Sequence, residues 1–193
     1  IVAVESRRID PEGATVVDAS DCFVAPGFID VHVHGLHGHD TLDGEGAVAR
    51  IAALLPRYGV TAFCPTTVAC APDDLRGVLH QVRQARVSPL AGSARVLPAH
   101  LESNFINPEY NGAQPAECLR TVADDSRDGF YSGRDVLDVI AACRPDVGIV
   151  TMAPELPGGL DLVRTLTTAG HRVALGHSGA DYDTAIAAIE AGA

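Results

Sequence analysis

Residues 26–35 read PGFIDVHVHG, and the reading of this stretch decides the fold. Apolar residues alternate with Asp30, His32 and His34. On an extended strand, whose side chains switch faces at every residue, those three polar groups share one face. Neutral imidazole is a common ligand for divalent ions, and histidines at i and i+2 lie close enough to share one. The competing reading is a pair of hydrogen-bonded core or loop histidines. The shared face, the carboxylate of Asp30 and the turn at Gly35 weigh against it.

Outward from this stretch the pattern repeats. Five short apolar segments read as buried strands: FIDVHV (28–33), VTAFCPT (60–66), VLPAHLE (96–102), GIVTMA (148–153) and RVALGH (172–177). Helical patterns lie between them. Residues 47–58 carry Val48, Ile51, Ala52 and Leu55 on one face. Pro72 opens a second helix, with Asp73 and Asp74 at the positive end of its dipole and Leu75, Val78, Leu79 and Val82 turned inward. Residues 133–143, 160–169 and 181–191 follow as three more. Strands alternating with helices in this way predict a parallel sheet covered by helices.

An open, doubly wound sheet and a TIM-type β/α barrel differ in where their polar residues fall. His34, Glu102, Glu155 and His177 stand at or just beyond the C-terminal ends of different strands, where a barrel builds its active site. The turn HGLHGHD (34–40) lacks the GxGxxG spacing, and the immediate helix, of a dinucleotide-binding sheet. The prediction is therefore an α/β protein in which residues 26–193 form the N-terminal part of a β/α barrel, with about five of its eight strands. Residues 1–25 hold short β-like pieces (IVAV, TVVDA, CFVA) broken by DPEG and predict part of a small β-domain ahead of the barrel.

Glu102 ends an otherwise apolar strand, where a carboxylate is costly to bury without a cation beside it; the alternative is a side chain turned to solvent. His177, in LGHSG, follows the same logic, against the alternative of a packed, hydrogen-bonded histidine. His100 shares the strand face of Glu102, which suits either support of a site or plain core packing. His37 and His39 read as solvent-facing loop residues, and His80 as helix surface. His171 follows Gly170, where an imidazolium would suit a helix C-terminus. Glu155 either orients the site or caps its loop.

Composition narrows the function. The chain has 193 residues, 47% of them hydrophobic and 20% charged, with a formal charge of −11. That charge argues against nucleic acid or an anionic membrane as partner. All 14 basic residues are Arg. Cys22, Cys64, Cys70, Cys118 and Cys143 are odd in number and never spaced as CxxC, which disfavours both a disulfide framework and a thiolate metal site. With no apolar run of spanning length and no leader pattern, a cytoplasmic location is the expectation.

The segment VVDASDCFVAPGFIDVHVHG (16–35) resembles the opening of the amidohydrolase superfamily. HLESNFINPEYNGAQP (100–115), TMAPE (151–155) and ALGHSGADYDTAIAAIEAGA (174–193) resemble the N-acetylglucosamine-6-phosphate deacetylase family within it. The resemblance implies metal-dependent hydrolysis of the acetamide of a small amino-sugar phosphate, giving glucosamine 6-phosphate and acetate. It implies that Glu102 and His177 bind the principal divalent ion, zinc or iron, that His32 and His34 can hold a second, and that Ala113 and Gln114 line the sugar site. It also implies a metal-bound water acidic enough to supply hydroxide near neutral pH. Relatives that bridge two metals with a carboxylated Lys from strand four are disfavoured, because GIVTMAPE (148–155) contains no Lys.

Three departures from the family pattern stand out. Ser103 and Asn104 replace a Gly-Pro pair after the Glu, and Gln114 replaces a His that polarises the substrate carbonyl. A Gln amide donates a hydrogen bond there without positive charge. The sequence also ends at Gly192 and Ala193, ahead of the family's next His, its Asn-rich loop and the Asp that moves protons, so no catalytic residue is assigned; Asp30 is read as support for its strand. The expectation is a piece of a longer enzyme, or a chain that completes its sheet by association as a homo-oligomer. Two other readings stay open: an amidohydrolase acting on N-acyl amino acids or cyclic amides, and an inactive barrel fragment serving in binding or assembly.

Overall fold

The computed structural model describes residue 13 and residues 15–123 and 131–193. The elements run β1 (Phe28–Val33), β2 (Gly35–Leu36), β3 (His39–Asp40), α1 (Ala47–Leu54), β4 (Val60–Thr67), α2 (Pro72–Val87), β5 (Arg95–Val96), β6 (Ala99–Glu102), α3 (Gly133–Ala142), β7 (Val147–Met152), α4 (Gly159–Thr168), β8 (Arg172–Leu175) and α5 (Tyr182–Glu190). All five predicted strands and all five predicted helices are present, with two edits. The first helix tightens at its end into a 3₁₀ turn, Leu55–Tyr58, with Pro56 inside it. The third strand is broken into β5 and β6, because Pro98 has no N–H to donate to a ladder.

The main path of the sheet is β1-β4-β6-β7-β8, parallel throughout, with short β5 also on β4. Each βα unit adds its strand on the same side as the one before. A doubly wound sheet reverses direction at its switch point; this one never does, which is the winding of a barrel. The result is a five-stranded arc of a TIM-type barrel, as the strand-end residues predicted.

The core lies between the arc and its helices. Val48 and Ile51 of α1, Leu75, Leu79 and Val82 of α2, Val136 and Ile140 of α3, and Leu162 and Val163 of α4 pack on Phe63, Leu101, Val150 and Met152. Burying each such side chain is worth about 1.5–3 kcal/mol. Local signals fix the helix starts. Pro72 sits in the first turn of α2 with Asp73 and Asp74, and Ser132 and Asp135 form a reciprocal capping box on α3.

The arc is dressed on one side only at its two ends. Phe28, Ile29 and Val31 of β1 and Tyr182, Ile186 and Ile189 of α5 are exposed. The predicted β-segment at 1–25 falls partly outside the described residues. Its described part carries no strand, and Val16, Val17, Phe23 and Val24 are exposed. No described helix is long and apolar enough to cross a membrane.

Candidate metal centre

The parallel winding puts the C-terminal ends of all five main strands on one rim. His32 is the penultimate residue of β1 and His34 follows that strand; Glu102 is the last residue of β6; His177 lies two residues past β8. There the three segments converge. His32 Nε2 and His34 Nε2 are 3.0 Å apart. His34 Nε2 is 3.2 Å from Glu102 Oε2, and His32 Nε2 is 3.8 Å from Glu102 Oε1. One ligand atom from each of His32, His34 and Glu102 fits within 4.8 Å of the others. His177 approaches from the opposite end of the arc, with Nε2 2.9 Å from Glu102 Oε1.

The chemistry of this donor set favours a cation. The carbonyl of Tyr110 only accepts, so His177 Nδ1, 2.7 Å away, donates to it and Nε2 is the nitrogen left to face the carboxylate oxygen. Two lone pairs at that distance repel unless a proton or a metal ion lies between them. Tetrahedral zinc with N and O ligands at about 2.0–2.2 Å sets its donors roughly 3.3–3.5 Å apart, and the separations of 3.0, 3.2 and 3.8 Å bracket that range. His34 Nδ1 is, among the described residues, a buried side-chain nitrogen with no hydrogen-bond partner. Its ring is held instead by its backbone, whose carbonyl accepts from Thr41 Oγ1 at 2.6 Å and from Thr41 N at 2.8 Å.

The β1 strand departs from ideal alternation where the site begins. Asp30 pairs with Phe63 and Val33 with Pro65, so β1 holds one residue more than β4 between those points. Side chains take up the loosened backbone. Asp30 Oδ1 accepts from His32 N at 3.0 Å, Thr66 Oγ1 accepts from Val33 N at 2.9 Å, and His100 Nδ1 donates to Val31 O at 2.8 Å. Asp30 thus serves the strand, as expected, and stands outside the His32, His34, Glu102 group.

Glu102 is nearly buried, and its second partner is Gln114, whose Nε2 donates to Oε2 while its Oε1 accepts from Ala69 N at 2.7 Å. Gln114 is itself buried, whereas Ala113 is exposed at the lip of the same loop. The Gln114 contact with the carboxylate was not legible in the sequence, which offered only its place in the loop.

His177 has φ 51°, in the left-handed region that costs a non-glycine residue about 1–2 kcal/mol. The turn is held by Asn107 N donating to His177 O at 3.0 Å and by the ring contact to Tyr110. Gly112, at φ +57°, lets the loop pass so closely that a Cβ there would lie 3.4 Å from the ring's Cε1. Glu155 ties the two loops together, accepting from Ser178 Oγ at 2.6 Å, Gly179 N at 2.7 Å and Asn107 Nδ2 at 2.9 Å. Partial burial pushes the Glu155 carboxyl up, but these hydrogen bonds outweigh it and hold the group below the usual carboxylate range.

Other histidines stand apart. His37 Nε2 pairs with Tyr58 Oη at 2.5 Å, and His80 is exposed on α2. His171 is buried, and its Nδ1 donates to Val147 O at 3.0 Å, so it locks β8 to β7 and does not act as an exposed charge at a helix end. Burial pushes the imidazole of His100 down, against the opposing pull of its bond to Val31.

No family model matches the chain. It is 39% identical over 195 residues to the N-acetylglucosamine-6-phosphate deacetylase of Rattus norvegicus, an alignment covering 98% of this chain and 44% of that protein. It is 32% identical over 186 residues to the N-acetylgalactosamine-6-phosphate deacetylase of Escherichia coli O157:H7, covering 96% of this chain and 47% of that protein. Among solved structures, the N-acetyl-D-glucosamine-6-phosphate deacetylase of Mycobacterium smegmatis superposes with a TM-score of 0.72 at 30% identity, over 87% of this chain and 41% of that one. The chain therefore spans less than half the length of the relatives it matches, and the resemblance read from its motifs is borne out across nearly all of its own.

Proposed function

We propose, on the premise of that kinship, that the chain is the metal-binding part of an N-acetylglucosamine-6-phosphate deacetylase, hydrolysing the acetamide to glucosamine 6-phosphate and acetate in amino-sugar catabolism. The observation that carries this reading is the meeting of His32, His34, Glu102 and His177 at one rim. Those residues would hold a divalent ion, zinc or iron, with the carboxylate oxygens of Glu102 facing His34 and His177 separately and so able to serve one ion or two. When bound, such an ion polarises the amide carbonyl and lowers the pKa of water.

The chain's own residues do the rest of what it contributes. Gln114 fixes Glu102 through its amide and, with Ala113, borders the space in front of the site where the sugar would lie. Tyr110 and Asn107 fix the ring and backbone of His177. Residues 26–193 supply this part of the barrel, and 1–25 are assigned to part of a small β-domain that precedes it in sequence. The formal charge of −11 supports a small-molecule substrate over nucleic acid or membrane, and the exposed apolar ends of the arc support a homo-oligomer.

The test is release of acetate from N-acetylglucosamine 6-phosphate, compared with its galactosamine epimer, N-acyl amino acids and cyclic amides. The expected result, for the whole enzyme of which this chain is the metal-binding part, is turnover of an N-acetylhexosamine 6-phosphate that chelation abolishes and divalent metal restores. Turnover of acyl amino acids alone refutes the sugar assignment. Turnover of none of these by the metal-loaded protein leaves the binding-fragment reading in its place.

A further inference from the structure

We propose that His100 is a positioning residue: suspended between the hydroxyl of Thr151 and the carbonyl of Val31, it holds the register shift in β1 that aims His32 and His34 at Glu102. The inference rests on the metal-centre reading above and extends it to residues that touch none of the reacting groups.

His100 lies on β6, and β4 separates that strand from β1. Its ring nevertheless reaches the β1 backbone across the inner face of the arc, with Nδ1 2.8 Å from Val31 O. A carbonyl only accepts, so Nδ1 carries the proton and Nε2 is left as acceptor, 2.7 Å from Thr151 Oγ1 on β7. One imidazole thereby joins three strands. Its β1 anchor falls between Asp30 and Val33, where β1 carries its extra residue and regular pairing with β4 lapses. The ring also stands edge-on to His32, with centroids 4.9 Å apart and planes at 84°. It thus constrains both the peptide leading into His32 and the plane of that residue's ring. His100 is buried, so no water replaces these bonds if one is lost.

The device needs a donor at Thr151. Thr151→Val keeps the shape and removes the hydroxyl, which frees the ring to turn or to move its proton; Thr151→Ser keeps the hydroxyl. Groups that orient a metal site indirectly typically change affinity by about 10–100-fold when removed.

Two measurements on the full chain test the proposal. Long-range ¹H–¹⁵N correlation on histidine-labelled protein without metal reads the tautomer directly, and the proton of His100 is expected on Nδ1. Titration with Co²⁺, followed by visible absorption, is expected to give affinity roughly 10-fold or more weaker and an altered band shape in Thr151→Val, with Thr151→Ser close to the parent. A proton on Nε2 in the parent chain overturns the proposal even if Thr151→Val fails to fold. Unchanged cobalt affinity and band shape in a folded Thr151→Val overturn it while leaving the metal centre intact. Absence of cobalt binding by the parent chain, with His100 in the expected tautomer, overturns the metal centre and the positioning role together.

Discussion

Replacing Glu102 by Gln should make the chain more tolerant of metal removal and nearly indifferent to metal addition. Without metal, the new amide oxygen can accept from Gln114 Nε2 as the carboxylate did, and its NH₂ can donate to the lone pair of His177 Nε2, 2.9 Å from the atom it replaces. The variant therefore keeps the Gln114 hydrogen bond and gives a neutral His177 a donor in place of a second acceptor, so its metal-free stability should equal or exceed that of the parent. With metal the order reverses. A divalent ion at 100 times its Kd stabilises the parent by about 2.7 kcal/mol. For a chain of this length that is a rise in Tm of roughly 5–11 °C, at about 2–4 °C per kcal/mol.

Losing the anionic ligand removes a charge-assisted contact worth about 1.5–3 kcal/mol, or one to two decades of affinity. At two decades the same metal concentration equals the variant's Kd. The gain then falls to about 0.4 kcal/mol, or roughly 1–2 °C. Thermal unfolding by circular dichroism, with chelator and with Zn²⁺, reads both arms. Equal metal-induced stabilisation of the two proteins would show that Glu102 is no ligand. A variant clearly weaker than the parent in chelator would show that the carboxylate needs no cation to be at ease among its neighbours.

Two further outcomes follow from the same geometry. Glu155 has its folded pKa below its ordinary value, so its contribution to stability is complete above the unfolded pKa near 4.5 and is lost as pH falls through the lower folded value. Proteolysis of the loop after β8 should therefore accelerate below pH 4.5 in the parent chain, and Glu155→Gln should flatten that dependence; identical pH profiles would remove Glu155 from the clamp. The exposed apolar ends of the arc should drive self-association that Ile29→Lys together with Ile189→Lys reduces. Sedimentation velocity over a range of concentrations checks this, and a parent chain that stays monomeric throughout refutes it.

What the sequence made legible was whatever depends on period and on strand ends. The alternation of His32 and His34 with Val31 and Val33, and the apolar runs closing in Glu102 and in Gly176-His177, carry their meaning locally, because a parallel winding sends every such end to the same rim. Features that depend on two segments meeting were hidden. Nothing near Gln114 says that its loop folds back so that one end of its amide meets Glu102 and the other meets Ala69. The extra residue in β1 is equally silent, since FIDVHV alternates without a break and the shift exists only relative to β4. His100 looked equally suited to support and to packing, because its bond to Val31 depends on curvature, which a one-dimensional pattern does not contain.

Curvature also explains why the carboxylate belongs on β6. In the order β1-β4-β6-β7-β8 it is the middle strand, two strand spacings, or about 10 Å, from each end of the arc. On a flat sheet, imidazoles from β1 and from the turn after β8 would stand about 20 Å apart across four spacings, too far to share a ligand. Curling brings them inward, yet they still arrive from opposite sides, and a group that meets both must offer two acceptors pointing apart. A carboxylate does so: Oε2 lies toward His34 at 3.2 Å and Oε1 toward His177 at 2.9 Å. A second imidazole at position 102 would offer its two nitrogens in directions fixed by one ring, and an amide would offer only one acceptor. The side-chain type at the centre of the rim and the closure angle of the sheet are thus one constraint, and any change that flattens the arc should separate the histidine groups before it unfolds the core.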